Sequence, residues 1–358
     1  MSALDDNDRL RAGTLPLDPA EGCEIYVPDD SPEKDERRLP AALRFVPPEE
    51  VVGGEAEWLI DGMVPSGVLT ILSGRDKLGK TLLAWELARA VAHGRRLFDR
   101  EVRQGMVFFA ALDDPDSLTR SRLDELGLDD PNVLRVATPG TNERESYGPE
   151  LLDQIALALV GQSPALVVID ALYLLLPGGA EAINDAGRMG PIMAKLNAIC
   201  ADLGAAVILV THDRKSGGDV AGSFAIRAAT KQILRLVLPE DAKANDPDGP
   251  RRELILTGKF APSFKLILEN NGPGAWKLLG SPAEVRETDV RGAVLAYVPE
   301  APGGEKSREI AQTLGLRHKD VLAVLDQLVT EGSWLKATMP TGRAGRPPVV
   351  YRPLGVPE

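Results

Sequence analysis

The stretch "SGRDKLGKT" (73–81) sets four residues between Gly74 and Gly79-Lys80-Thr81. That spacing can wrap a phosphate. Glycine at the two ends lets successive backbone N–H groups converge on the anion. A helix starting at Lys80 would aim the positive end of its dipole at the same point. Lys80 would reach the β- and γ-phosphates, and the Thr81 hydroxyl would hold Mg²⁺. Gly74, Arg75, Asp76, Lys77, Leu78, Gly79, Lys80, Thr81 and Leu82 therefore form the candidate ATP-binding segment.

Such a loop needs a second metal anchor. Asp170 closes the apolar run "ALVVID". A carboxylate there is costly unless it is paired or lies near a cation. Mg²⁺ held through water would satisfy it. Hydrolysis also needs a group that orients water. Asp113 and Asp114 end the run "GMVFFAALDD", and either can serve as the base. Their strand is expected beside the phosphate-loop strand. His212 ends "AAVILVTHD", where it could sense the γ-phosphate. The Gly-rich "RKSGGDVAGS" (214–223) that follows could touch DNA or a neighbouring subunit.

These groups need a frame. Strands are expected over 68–74, 105–114, 165–172 and 205–213, with helices over 80–93, 116–127 and 187–204. Continuous apolar strands alternating with helices predict an α/β domain whose mostly parallel sheet is buried on both faces. "KQILRLVL", "RELILTGKF" and "FKLILEN" read as further short strands.

Hydrophobic residues make up 44% of the 358, aromatics only 4%, and the net charge is −12. Aliphatic side chains must fill the core. An acidic chain is not a general nucleic-acid coat, so any such contact needs a local basic patch. Cys23 and Cys200 have no metal-ligand spacing and read as reduced thiols. No signal peptide and no membrane span is legible, which points to the cytoplasm. Residues 1–50 read as a disordered acidic leader, 51–280 as the α/β domain and 281–289 as a linker. Residues 290–358 read as three short helices and a β-hairpin, with Ser307 capping the second helix.

Together these segments resemble the RepA-like branch of the RecA/DnaB superfamily, the hexameric helicase-type ATPases of plasmids, phages and mobile elements. The resemblance covers roughly residues 55–275 and rests on the phosphate loop, "FFAALDD", "LVVIDAL", "AAVILVTHDRK" and "AGSFAIRAATKQILRL" in that order. It implies a RecA-like P-loop NTPase fold, ATP and Mg²⁺, and ring or filament assembly as a homo-oligomer, with a hexamer as one form. It also implies work on single-stranded DNA, with replication proteins as further partners. Asp170 falls on the second metal motif. Asp113 falls where the family usually has Glu, one methylene longer, and His212 where the second of two histidines is usual. Ala221 falls where many members carry an Arg that acts on a neighbour's nucleotide, which leaves Arg227 or Lys259 as the trans-acting cation. The C-terminal segment resembles a winged helix-turn-helix. It would bring Arg317, His318 and Lys319, with Arg343, Arg346 and Arg352 of the wing, to duplex DNA. The expected activity is ATP hydrolysis on DNA, helicase-type. The alternative is an ATP-dependent switch or loader with slow hydrolysis. A small-substrate kinase is disfavoured by the DNA-type tail.

Overall fold

A computed structural model describes residues 46–50, 56–138, 150–176, 183, 185–213, 224–240, 249–301, 303–339 and 347–354. The leader up to residue 45, Cys23, the loop 214–223 with Ala221, and Arg343 and Arg346 lie outside the described residues. The chain divides into two units, Met1–Gly54 and Glu55–Glu358. Of the first, residues 46–50 are described, with a short 3-10 turn over Pro48–Glu50.

The second unit is built on a nine-stranded sheet. Its strands are β3 (Leu69–Gly74), β4 (Val107–Ala111), β5 (Leu134–Ala137), β6 (Leu166–Asp170), β7 (Ala206–His212), β8 (Gln232–Val237), β9 (Arg251–Gly258), β10 (Phe264–Asn270) and β11 (Trp276–Gly280). A separate small ribbon pairs β1 (Trp58–Ile60) with β2 (Val64–Pro65). The large sheet runs β11-β10-β9-β8-β3-β7-β6-β4-β5, parallel from β8 to β5 and antiparallel from β8 to β11. The phosphate-loop strand β3 is thus central. The sequence-based expectation that β4 lies beside it does not hold; β7 and β6 lie between them.

The parallel strands are buried on both faces because each face has its own helical layer. Helix α1 (Lys80–His93) and the end of α2 (Asp116–Leu126) cover Leu72, Phe109, Val168 and Ile208. Trp85 of α1 stacks on Phe109 at 3.7 Å. On the other face α3 (Glu150–Ala158), α4 (Ala186–Leu203) and α5 (Phe224–Ala229) cover Ile71, Val167, Ile169 and Leu209. Alternate residues of one strand therefore serve two cores, which is why these strands read as unbroken apolar runs.

Residues 281–289 are not a linker. They open helix α6 (Pro282–Ala296), which starts with a capping box: the Ser281 Oγ accepts from Glu284 N, and Glu284 accepts from Ser281 N. Helices α7 (Ser307–Thr313) and α8 (His318–Thr330) and the hairpin β12–β13 (Trp334–Thr338, Val349–Pro353) follow. Val290, Val294, Ile310, Val321, Leu325, Leu328, Trp334 and Tyr351 form a third core. Ser307 is not the cap of α7. Lys306 holds that position, with its N–H donating to Glu309, while the Ser307 Oγ lies 3.0 Å from His318 Nε2. Among the described residues no helix is long and apolar enough to cross a membrane.

Candidate functional site

The carboxyl ends of β3, β4, β6 and β7 meet at the loop between β3 and α1. Gly74 is held from both sides, in register with His212 of β7 and Leu236 of β8. A Cβ on Gly74 would lie 2.5 Å from the Leu236 carbonyl oxygen. Arg75, Asp76 and Lys77 are exposed, and Leu78 is buried. Gly79 caps α1 with φ 93°, a left-handed conformation that glycine adopts without strain. A Cβ there would meet Asn270 Nδ2 at 2.7 Å and the Trp276 ring at 3.2 Å. The loop is therefore backed closely by the β10–β11 hairpin.

Lys80 points into this loop. Its Nζ donates to the Arg75 carbonyl at 2.9 Å and lies 3.3 Å from His212 Nδ1. The same Nδ1 is 2.5 Å from Asp76 Oδ1. Burial pushes the Lys80 ammonium below its usual pKa, while Asp76, Asp170, Asp213 and Asp113 oppose that shift. The loop thus holds a desolvated cation facing a place where phosphate charge can enter.

Asp170 is nearly fully buried at the end of β6, and the Thr81 hydroxyl hydrogen-bonds to it. Burial raises its carboxyl to about 6 against the hydrogen bond from Thr81, and Asp113 and Asp114 add to the rise. A hydroxyl and a buried carboxylate side by side can hold a divalent cation through water. Among the described residues no three His, Cys, Asp or Glu side chains form a metal cage.

The two acidic residues after β4 part ways. Asp114 forms an ion pair with Arg122 of α2. Asp113 is exposed, and its carboxylate accepts from the Tyr173 hydroxyl. Its backbone N–H donates to the Asp170 carbonyl at 3.2 Å, which brings it to the pocket although β4 is remote from β3. The Tyr173 ring lies 6.2 Å from the His212 ring. Lys80, Thr81, Asp170, Asp113 and His212 are therefore gathered at one place, and Tyr173, Asn270, Trp276 and Asp213 join them. Sequence reasoning missed these last four. "NNGPG" (270–274) is a readable turn, but nothing in the sequence says that it folds against Gly79.

The remaining candidates lie elsewhere. Lys259 donates its N–H to Lys231, just before β8, and Arg227 is on α5, which leads into that strand. Both belong to the start of β8, whereas Gly74 pairs near its end, about 13 Å along the strand. Arg317 caps α8 and is exposed, as is Lys319, while His318 is engaged with Ser307. Arg352 lies on β13 and has a polar contact of its own.

Residues 47–218 match the family model of an AAA domain. The KaiC-like protein PH0186 from the hyperthermophilic archaeon Pyrococcus horikoshii OT3 is similar with a TM-score of 0.45 and 18% identity, over 62% of this chain and 93% of that one. The ATPase domain of G40P is similar with a TM-score of 0.42 and 14% identity, over 57% and 82%. Neither likeness is near enough to assign a residue. The sheet order and the loop between β3 and α1 make this part of the chain a P-loop domain of α/β fold, and it coincides with the AAA-domain match.

Proposed function

We propose that the chain hydrolyses ATP with Mg²⁺ and does so on DNA, as a RepA-like, helicase-type ATPase. One observation carries the hydrolytic part of this reading: Lys80, the Thr81–Asp170 pair, Asp113 and His212 converge on one phosphate loop. The loop N–H groups and Lys80 bind and orient the phosphates. Thr81 and Asp170 are the residues that would hold Mg²⁺, which would supply charge neutralisation to the phosphates. Asp113 takes the proton of the attacking water. His212, tied to Asp76 and Lys80, registers the γ-phosphate. The segment 290–358 acts as a winged helix-turn-helix, with Arg317 and Lys319 meeting duplex phosphates, and Arg227 or Lys259 serves a neighbouring subunit in a homo-oligomer.

The Tyr173–Asp113 hydrogen bond favours a second reading. It engages a carboxylate that is already one methylene shorter than glutamate, so the pocket in isolation holds ATP more readily than it cleaves it. The chain would then be a switch or loader.

ATP turnover with and without single-stranded DNA, beside a Lys80→Ala control and strand displacement on a forked duplex, separates the two. DNA-stimulated turnover with unwinding supports the motor. Tight binding with little turnover supports the switch, and neither binding nor turnover sinks both. Arg317→Ala/Lys319→Ala should weaken duplex binding and flatten its salt dependence. An unchanged salt slope would remove the winged-helix contact.

A further inference from the structure

His212 is followed by a carboxylate that the hydrolytic chemistry above does not use. The Asp213 N–H donates to the Gly74 carbonyl at 3.0 Å, the point where β3 becomes the phosphate loop. Its side chain is 0% exposed, Oδ2 accepts from Arg235 Nε at 2.9 Å, and Oδ1 has no hydrogen-bond partner. A buried carboxylate with one bare oxygen depends on its guanidinium for charge compensation.

Arg235 is on β8, in register with Ser73, the residue before Gly74. The backbone of β8 therefore supports the loop from one side, and the Arg235 side chain holds Asp213 on the other. Asp213 is also among the carboxylates that favour the charged form of Lys80. Arg235 also lines a cleft of about 730 Å³, together with Arg286 of α6 and Arg317 of α8.

We propose that Arg235 is a positioning residue of the nucleotide site, acting through Asp213 on Gly74 and His212. The inference rests on the proposed ATPase reading. A guanidinium that only neutralised a buried charge would matter to stability alone. A positioning group matters to the placement of Lys80 and His212 against the phosphates, where a small displacement can lower the rate by about 10-fold to 100-fold.

The test compares full-length wild type, Arg235→Met, Arg235→Lys and the double variant Asp213→Asn/Arg235→Met. Saturating ATP turnover, KM, thermal midpoint and amide hydrogen exchange over residues 74–81 with ATP bound are measured. Arg235→Met is expected to lower kcat by about 10-fold or more with little change in KM, and Arg235→Lys to recover part of it. The double variant removes the uncompensated charge. It is expected to regain the lost thermal midpoint but not the turnover, with fast exchange over 74–81 in both Met variants. Unchanged kcat in Arg235→Met, or turnover that returns together with stability in the double variant, overturns the proposal. A wild type without turnover would sink the ATPase reading instead. Exchange over 74–81 would then decide for Arg235, because unaltered exchange overturns its role.

Discussion

The nucleotide end of the sheet and the C-terminal helices both collect charged side chains, but in opposite media. At the loop, Lys80 is 7% exposed, Asp170 3%, and the Asp213 side chain has no exposure. In the C-terminal part, Arg291 and Glu331 join α6 to α8 while 35% and 46% exposed, and Lys336 and Asp326 pair at 44% and 48%. Buried charges feel each other through a poor dielectric, whereas exposed ones are screened by water and salt. The first region spends its burial on charge, and the second spends it on apolar packing around Trp334. Perturbing a charge should therefore matter at the loop and not in the helices, and perturbing a large apolar group should do the reverse.

Four substitutions test that contrast. Lys80→Ala should lower ATP turnover by roughly 10³-fold, the scale of losing a preorganised charge at a reacting phosphate. Turnover within a few-fold of wild type would break the contrast at its strongest point. Trp334→Ala should destabilise the chain by about 3 kcal/mol through loss of packing, with nucleotide affinity unchanged. Thermal unfolding and a fluorescent-nucleotide titration check the two halves.

Asp170→Asn should abolish Mg²⁺-dependent turnover and yet stabilise the metal-free protein, by on the order of 2 kcal/mol at pH 7. The sign follows from burial, which raises the folded carboxyl from 3.8 to about 6. Between those values the folded state holds a proton that the unfolded chain releases, so wild-type stability falls as pH rises from about 4 to 6. The stability difference between variant and wild type should close below about pH 4. Arg291→Ala should leave the thermal midpoint where it is, because an exposed pair adds little. A clear drop would mean that the helical unit relies on its surface charge after all.

Much of the frame was legible because it is local. Helix α1 runs from Lys80 to His93, as its apolar pattern predicts, and β3, β6 and β7 stand out because strands buried on both faces are mostly apolar, with Thr70, Ser73 and Thr211 as small polar exceptions before the charged or polar strand ends. Helix α6 was misread. Its apolar positions, Val285, Val290 and Val294, are widely spaced among charges, although "SPAE" (281–284) carried a cap signal. The position of β4 was misread too, since strand order is set by crossovers that leave no mark in the strand itself. Tyr173, Asp213 and Asn270 escaped notice for a related reason. Each gains its meaning from a partner brought close only by the tertiary fold, 60 residues away for Tyr173 and Asp113 and 22 for Asp213 and Arg235.

The hairpin behind Gly79 sets a schedule for synthesis. Arg89 of α1 donates to the Gly274 carbonyl, 185 residues later, at the turn that carries Asn270 and Trp276 against the loop. A ribosome adding about 5–20 residues per second needs roughly 10–40 s to cover that distance. For that interval the nascent chain displays a phosphate loop without its backing. Contacts of such long range form late, so ATP becomes a ligand of the finished sheet and not of the emerging β3–α1 segment.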